Sequence, residues 1–288
     1  MKAGAVREPN SDPKRSILIT GCSSGIGRDA AHTLNARGWQ VFASCRKQAD
    51  CDALIAQGIA SPRLDYNDPD SIGAALDAVL AATGGRLDAL FNNGAYAIPG
   101  AVEDLPTDAL RAIFEANVFG WHELTRQVIP VMRAQGHGRI VQCSSVLGFI
   151  PMKWRGAYVA SKYALEGLTD TLRLEMAETP IRISLIEPGP ITTRFRINAA
   201  QEFARWIDWQ ASARRDQYET SLLGRLKSAT EGKDAFELPP SAVTRKLIHS
   251  LEAARPKARY FVTAPTWGAA FLGRVLPTRA LDWVVGKG

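Results

Sequence analysis

Residues Ser16-Ile17-Leu18-Ile19-Thr20 form a short apolar run that passes straight into Gly21-Cys22-Ser23-Ser24-Gly25-Ile26-Gly27. A helical pattern carrying Ala30, Ala31, Leu34 and Ala36 follows at once. No other stretch restricts the fold so sharply. Strand, glycine-rich turn and helix in that order aim free backbone N–H groups and the positive end of a helix dipole at one point, where a phosphate fits. The glycines are needed because a Cβ would block both the tight turn and the close approach of a ligand. The spacing is G-x-x-x-G-x-G, which differs from the commoner G-x-G-x-x-G.

The same alternation repeats along the chain. Trp39–Ser44, Ala60–Leu64, Leu87–Phe91, Arg139–Cys143, Arg182–Ile186 and Arg259–Val262 read as further strands. Helices are expected over Ala49–Gln57, Asp70–Ala82, Thr107–Ala134, the run from Tyr158 to Leu172, and Ser241–Ala254. Near-continuous apolar strands between helices mean a parallel sheet covered on both faces. The expected fold is α/β, a Rossmann-type doubly wound parallel sheet of about seven strands in a single domain over 16–262. Ligands of such sheets lie at the carboxyl ends of the strands, where Gly21, Arg46, Asp65, Asn92, Ser145 and Pro188 all fall. Residues 1–15, polar with Pro9 and Pro13, are expected to form a loose arm.

Tyr158 and Lys162 are four residues apart in a helical run, so phenol and ammonium share one face. A phenol titrates near pH ~10, and a fixed cation beside it favours the phenolate. Ser145 follows the strand Arg139–Cys143, and its hydroxyl would steady an alcohol or carbonyl oxygen that Tyr158 protonates or deprotonates. At the end of the second strand an acidic residue usually holds the adenosine 2′-hydroxyl of NAD. Here Cys45 stands there and Arg46 follows, a partner for a 2′-phosphate. NADP(H) is therefore expected over NAD(H).

Net charge narrows the partners. At +6 over 288 residues it allows an anionic ligand or an acidic membrane surface and is too mild and dispersed for nucleic acid, of which no signature is present. His32, His122, His137 and His249 lack ligand spacing, so no metal is expected. Cys22, Cys45, Cys51 and Cys143 contain no C-x-x-C pair, and with no signal peptide apparent they suit a reducing cytoplasm. No apolar run reaches the ~18 residues of a spanning helix.

Taken together, Thr20-Gly21-x-x-x-Gly25-Ile26-Gly27, Asp65, Asn92-Asn93-Gly94-Ala95, Asn117, Ser145, Tyr158-x-x-x-Lys162 and Pro188-Gly189-x-Ile191-x-Thr193 resemble the short-chain dehydrogenase/reductase family. The likeness is tight over 16–193 and looser to 262. One departure is Asn92-Asn93-Gly94-Ala95, where the family usually has Asn-Asn-Ala-Gly; it is expected to perturb only loop packing. The resemblance implies that Gly21, Ser23, Ser24, Gly25, Ile26 and Gly27 line the pyrophosphate and ribose. It puts Asp65 and Tyr66 at the adenine, Asn92 and Gly94 beside its ribose, and Pro188, Gly189, Ile191 and Thr193 around the nicotinamide carboxamide. It makes Tyr158 the acid/base, Lys162 the grip on the nicotinamide ribose, Ser145 the holder of the substrate oxygen and Asn117 the anchor of a water that passes the proton on.

The same resemblance makes 190–238 a substrate lid. Its Phe195, Phe203, Trp206, Trp209, Tyr218, Leu222, Leu223 and Leu226 suit a bulky apolar carbonyl or alcohol, or simply pack the lid onto the body. Gly148, Phe149 and Trp154 join the expected pocket, and the interleaved arginines form a wet face or recognise an acidic substrate. Residues 263–288 read as a helical tail, docked on the body or lying at a membrane surface with Arg274, Arg279 and Lys287, and are similar to the retinol and hydroxysteroid dehydrogenase-like branch. Family members pair as homodimers or homotetramers through the helices near 107–134 and 157–178. The rival readings are a non-catalytic NADP-binding regulator and a membrane-surface lipid, retinoid or steroid dehydrogenase using NAD.

Overall fold

The computed structural model describes residues 14–227 and 236–286, so most of the expected arm, segment 228–235 of the expected lid, and Lys287 lie outside the described residues. Six strands form one sheet: β1 (Ser16–Ile19), β2 (Gln40–Ala43), β3 (Ala89–Asn92), β4 (Gly138–Cys143), β5 (Ile181–Glu187) and β6 (Arg259–Phe261). Between and after them run α1 (Gly25–Ala36), α2 (Gln48–Ile55), α3 (Pro69–Thr83), α4 (Thr107–Phe114), α5 (Gly120–Gln135), α6 (Gly156–Glu175), α7 (Phe195–Trp206), α8 (Arg215–Gln217), α9 (Leu223–Lys227), α10 (Ser241–Glu252), α11 (Ala264–Val275) and α12 (Thr278–Val285). The strand order is β2-β1-β3-β4-β5-β6, all parallel. The chain leaves β1 for β2 on one side and returns to β3 on the other, which opens a crevice beyond the ends of β1 and β3.

Successive strand residues point to opposite faces and find different cores. Ile17, Ile19, Val41, Ala43, Ala89, Phe91 and Val141 meet Ala30, Ala31 and Leu34 of α1, Leu54 of α2 and Val243 and Leu247 of α10. Leu18, Phe42, Leu90, Ile140 and Ile183 meet Ile72 and Val79 of α3 and Leu124, Val128 and Met132 of α5. Both faces are dry, so the strands carry apolar residues at consecutive positions. Helix α3 shows how a boundary is set: the Asp68 carboxylate accepts from Ser71 N at 3.2 Å, Pro69 opens the helix, and Gly84 closes it at φ 65°.

The sheet departs from the expected strand count at Ala60–Leu64. That segment forms no ladder with β2, only the isolated bridges Phe42↔Ala60 and, just past the end of β2, Cys45↔Arg63. Pro62 sits between them with no N–H to continue a ladder, and the Ser61 hydroxyl donates to Ala43 O at 2.6 Å instead. The helical segments expected over Thr107–Ala134 are α4 and α5. A π-turn, Glu115–Phe119, separates α4 from α5 and has Asn117 at its centre.

Candidate active site

The phosphate end is built by backbone approaching backbone. Gly21 has φ +69° and lies against the β3 loop, where a Cβ would sit 2.5 Å from Gly94 Cα; one on Gly27 would sit 2.5 Å from Gly21 O. Gly94 is in turn tight against Gly21 and Tyr66, which explains a glycine at that place in the Asn-Asn-Gly-Ala turn. Thr20 locks the two loops, its Oγ1 accepting from Asn93 N at 2.8 Å and Gly94 N at 3.2 Å and sharing a hydroxyl–hydroxyl hydrogen bond with Tyr66 Oη at 2.7 Å. Ser24 opens α1 without a side-chain cap bond, so the first-turn N–H groups face the groove unspent. From the far side Thr193 closes in, its Cγ2 lying 2.8 Å from where a Gly25 Cβ would be. Ile26 packs down into the core. A cradle that a Cβ would fill, with open helix N–H groups at its floor, fits a dinucleotide pyrophosphate. We expect Gly27→Ala to weaken dinucleotide binding at least tenfold and to destabilise the chain by about 1–3 kcal/mol, as overpacking does; fluorescence titration and thermal melts would measure both.

At the adenosine end Arg46 is exposed and takes part in no salt bridge among the described residues, and Cys45 is buried. Asp65 is half-buried and accepts from Asn67 N at 3.1 Å. Tyr66 and Asn92 do not offer their side chains to the groove. The Tyr66 hydroxyl donates to Asn92 Oδ1 at 2.8 Å, and Asn92 Nδ2 donates to Thr125 Oγ1 at 3.0 Å, with Asn92 fully buried. Both brace the crevice from beneath. Trp121 does similar work, donating from Nε1 to Gly94 O at 2.8 Å.

The four candidate chemical groups converge beyond β4. Lys162 is buried, donates from Nζ to Cys143 O at 2.9 Å, and lies 4.3 Å from the Trp121 ring centre and 5.6 Å from that of Tyr158. Burial pushes its ammonium down to about 8, against the pull of Cys143 and Glu166. Tyr158 is raised well above the ordinary phenol value by burial, then by the Cys143 thiol, while the Ser145 hydroxyl bond opposes the rise. In this arrangement burial outweighs the cation, the reverse of what helix spacing alone suggests, because the ammonium is held by a carbonyl and an indole face. Ser145 Oγ accepts from Leu147 N at 3.1 Å. Asn117 is buried with its amide fully used: Nδ2 donates to Tyr96 O at 2.9 Å and Ser161 Oγ at 3.1 Å, and Oδ1 accepts from Tyr96 N at 3.2 Å. Ser161 completes the link by donating to Tyr158 O at 2.8 Å.

Behind this group lies a cluster with no local spacing to announce it. The Arg259 guanidinium from β6 donates to Glu166, one turn beyond Lys162, to Asp170, and to Glu187, the residue before Pro188-Gly189. Complete burial, then the Glu166 charge, pushes Glu187 up to about 8 despite Arg259. Burial also raises Glu166, whereas Asp170 ends low because its bonds to Arg173 and Arg259 outweigh partial burial. One guanidinium is shared among three carboxylates, and the most deeply buried is the one left short. Pro188 O accepts from Val146 N at 2.8 Å, and a Cβ on Gly189 would collide with Thr263 Oγ1, so this turn is tied to both the Ser145 loop and the start of α11. Ile191 pairs with Leu238, and Thr193 Oγ1 accepts from Phe195 N at 3.2 Å.

On the substrate side Phe203, Tyr218 and Leu222 are buried with Tyr158, Leu147 and Ile150 in a third cluster. Most lid aromatics thus pack the lid onto the body, whereas Phe195 meets the Tyr158 ring edge-on at 5.3 Å. Tyr218 Oη accepts from Ala101 N at 2.8 Å and donates to Asp104 at 2.8 Å. Its ring stands 4.9 Å from Trp154, which is held at φ 65°, an outlying backbone state for a bulky residue. Gly148 is fixed from behind, since a Cβ there would fall 2.7 Å from Ser144 Oγ and 3.0 Å from Glu166 Oε1. Among the lid arginines, Arg196 pairs inward with the buried side chain of Glu237 at 2.9 Å, whereas Arg215 with Glu219 at 3.1 Å and Arg214 with Glu103 pair on the exposed side.

Comparison with known proteins bears on this geometry. The family model described as short chain dehydrogenase matches residues 15–203. The chain is 39% identical over 272 residues to the uncharacterized oxidoreductase YbbO of Escherichia coli, covering 94% of each chain. It is 31% identical to human 17-beta-hydroxysteroid dehydrogenase type 1, covering 86% of this chain and 77% of that one. It is 28% identical to an NADPH-dependent 3-dehydrocapnine reductase of Ornithobacterium rhinotracheale, covering 95% and 96%.

Proposed function

The chain belongs to the short-chain dehydrogenase family, on its retinol and hydroxysteroid dehydrogenase-like side, and we propose that it is an NADP(H)-dependent oxidoreductase that interconverts an apolar ketone or aldehyde with its alcohol. One observation carries the reading: the Ser145 hydroxyl, the Tyr158 phenol and the Lys162 ammonium are buried together at the carboxyl end of β4, beside an apolar cluster. A dinucleotide held by the Gly21–Gly27 turn and Thr193 would supply the hydride that the carbonyl carbon needs. Ser145 orients the substrate oxygen, and Tyr158 gives it the phenolic proton, so carbonyl becomes alcohol. A phenol raised by burial is kept protonated, which suits an acid in the reductase direction. Lys162, lowered to about 8, returns a proton to the phenolate. The Asn117 side chain is spent on Tyr96 and Ser161, so a relay water is held by its backbone in the π-turn.

The preference for NADP(H) rests on exposed Arg46 in place of a strand-end carboxylate, in keeping with the NADPH-dependent relative. Exposed Phe119, Tyr163 and Leu168 on the π-turn and α6 support a homodimer or homotetramer. Four free, buried cysteines suit a cytoplasmic setting.

The test is oxidation of NADPH and NADH against a panel of apolar aldehydes and ketones. NADPH turnover is expected, and Arg46→Ala should lower the preference for NADPH by roughly 10- to 100-fold, the worth of one charged hydrogen bond. Dehydrogenation with NAD alone would overturn the reading.

A further inference from the structure

The tail made of α11 and α12, joined through the extended residues Leu276 and Pro277, has two unlike faces. Its inner side is packed: Thr266 and Ala270 are buried, and Ala269, Leu281 and Val285 rest on the cluster that contains Tyr158. Its outer side carries Trp267, Phe271 and Val275, four residues apart on one stripe of α11 and 58%, 66% and 54% exposed. On α12 Trp283 and Val284 are exposed as well. A row of rings leads from this surface inward: Trp267 meets Phe261 edge-on at 4.8 Å, Phe261 meets Phe149 at 5.8 Å, and Phe149 rests on the Tyr158 cluster.

Charge decides what covers the outer face. Over 264–286 the charged residues are Arg274, Arg279 and the single carboxylate Asp282, and both arginines are exposed. Lys153 adds a third cation at the end of α12, donating to Gly286 O at 2.8 Å. A second copy docked through the same face about a two-fold axis would bring cations toward cations. An anionic lipid surface matches them instead, and indoles beside cations suit the headgroup level. Twelve residues of α11 reach only ~18 Å, short of a bilayer core, and among the described residues no helix is long and apolar enough to cross a membrane. The tail is therefore built to lie on a surface.

We propose that the outer face of this tail docks on anionic lipid and that the site around Tyr158 beneath it draws its apolar substrate from that surface. The second half rests on the oxidoreductase reading; docking does not.

The test is co-sedimentation of the full chain with phosphatidylcholine vesicles, with and without phosphatidylglycerol, at low and high salt. Binding is expected to phosphatidylglycerol vesicles at low salt and to fall at least tenfold in their absence, at high salt, in Phe271→Ser/Val275→Ser, and in Arg274→Glu/Arg279→Glu, with melting temperatures held. A long-chain aldehyde dissolved in the vesicles should be reduced with higher kcat/KM when phosphatidylglycerol is present. Equal or absent binding to both vesicles overturns docking. So does self-association without lipid that Phe271→Ser/Val275→Ser abolishes, which gives the face to a second copy. A chain that binds the vesicles yet reduces no aldehyde, soluble or vesicle-borne, sinks the oxidoreductase reading alone; one that reduces soluble aldehydes and ignores the vesicles sinks docking alone.

Discussion

Tyr158→Phe is expected to cut carbonyl reduction by about 10³-fold while leaving NADPH binding within a few-fold of the parent. The substitution removes one hydroxyl and keeps the ring that packs on Phe195, so neither the lid nor the dinucleotide cradle loses a contact. What is lost is the acid that protonates the developing alkoxide, and positioned proton transfer contributes about 10²–10⁴-fold. The parent should also carry a pH signature. With Lys162 lowered to about 8, its ammonium is full below that value and empties above it. Reduction should therefore hold level on the acid side and fall as pH rises through about 8. Single-turnover rates with pre-bound NADPH would measure both. Appreciable turnover in Tyr158→Phe would move the acid role to another group and sink the mechanism.

The features legible in the sequence are those whose information is local. A glycine-rich turn between strand and helix, and Tyr158 four residues before Lys162, are fixed by one turn or one helix face. Apolar strands announced a sheet covered on both sides, and the one lost strand failed at a single residue, Pro62, that cannot donate. What escaped depends on direction or on distance along the chain. Tyr66 and Asn92 stand at predicted strand ends, yet their polar atoms turn inward to each other and to Thr20 and Thr125, a choice set by packing beneath the loops. The sign of the Tyr158 shift needed its burial, which no spacing reveals. Arg259 and Glu166 are 93 residues apart and meet only because β5, β6 and α6 converge.

That convergence sets the second large effect. Arg259→Met should destabilise the chain by about 3–5 kcal/mol, since it strands buried carboxylates without a counter-charge. The cost should depend on pH through Glu187. Its folded value of about 8 lies above the ordinary 4.5, so the folded chain holds this proton more tightly than the unfolded chain does. Stabilisation from Glu187 is therefore complete below its ordinary value and is lost as pH climbs through about 8. Asp170, held low, works in the opposite sense in a separate acid window below its ordinary value of 3.8. Between about pH 5 and 8 the melting temperature of the parent should thus carry a downward component that Glu187→Gln removes. Arg259→Met should lose more at pH 8 than at pH 5, because without the guanidinium the folded chain holds the Glu166 and Glu187 protons to higher pH than the parent does, while the unfolded chain releases them. Melts of the three proteins across that range decide the matter: a Gln variant that keeps the parent's slope would show that the shared proton resides elsewhere in the cluster.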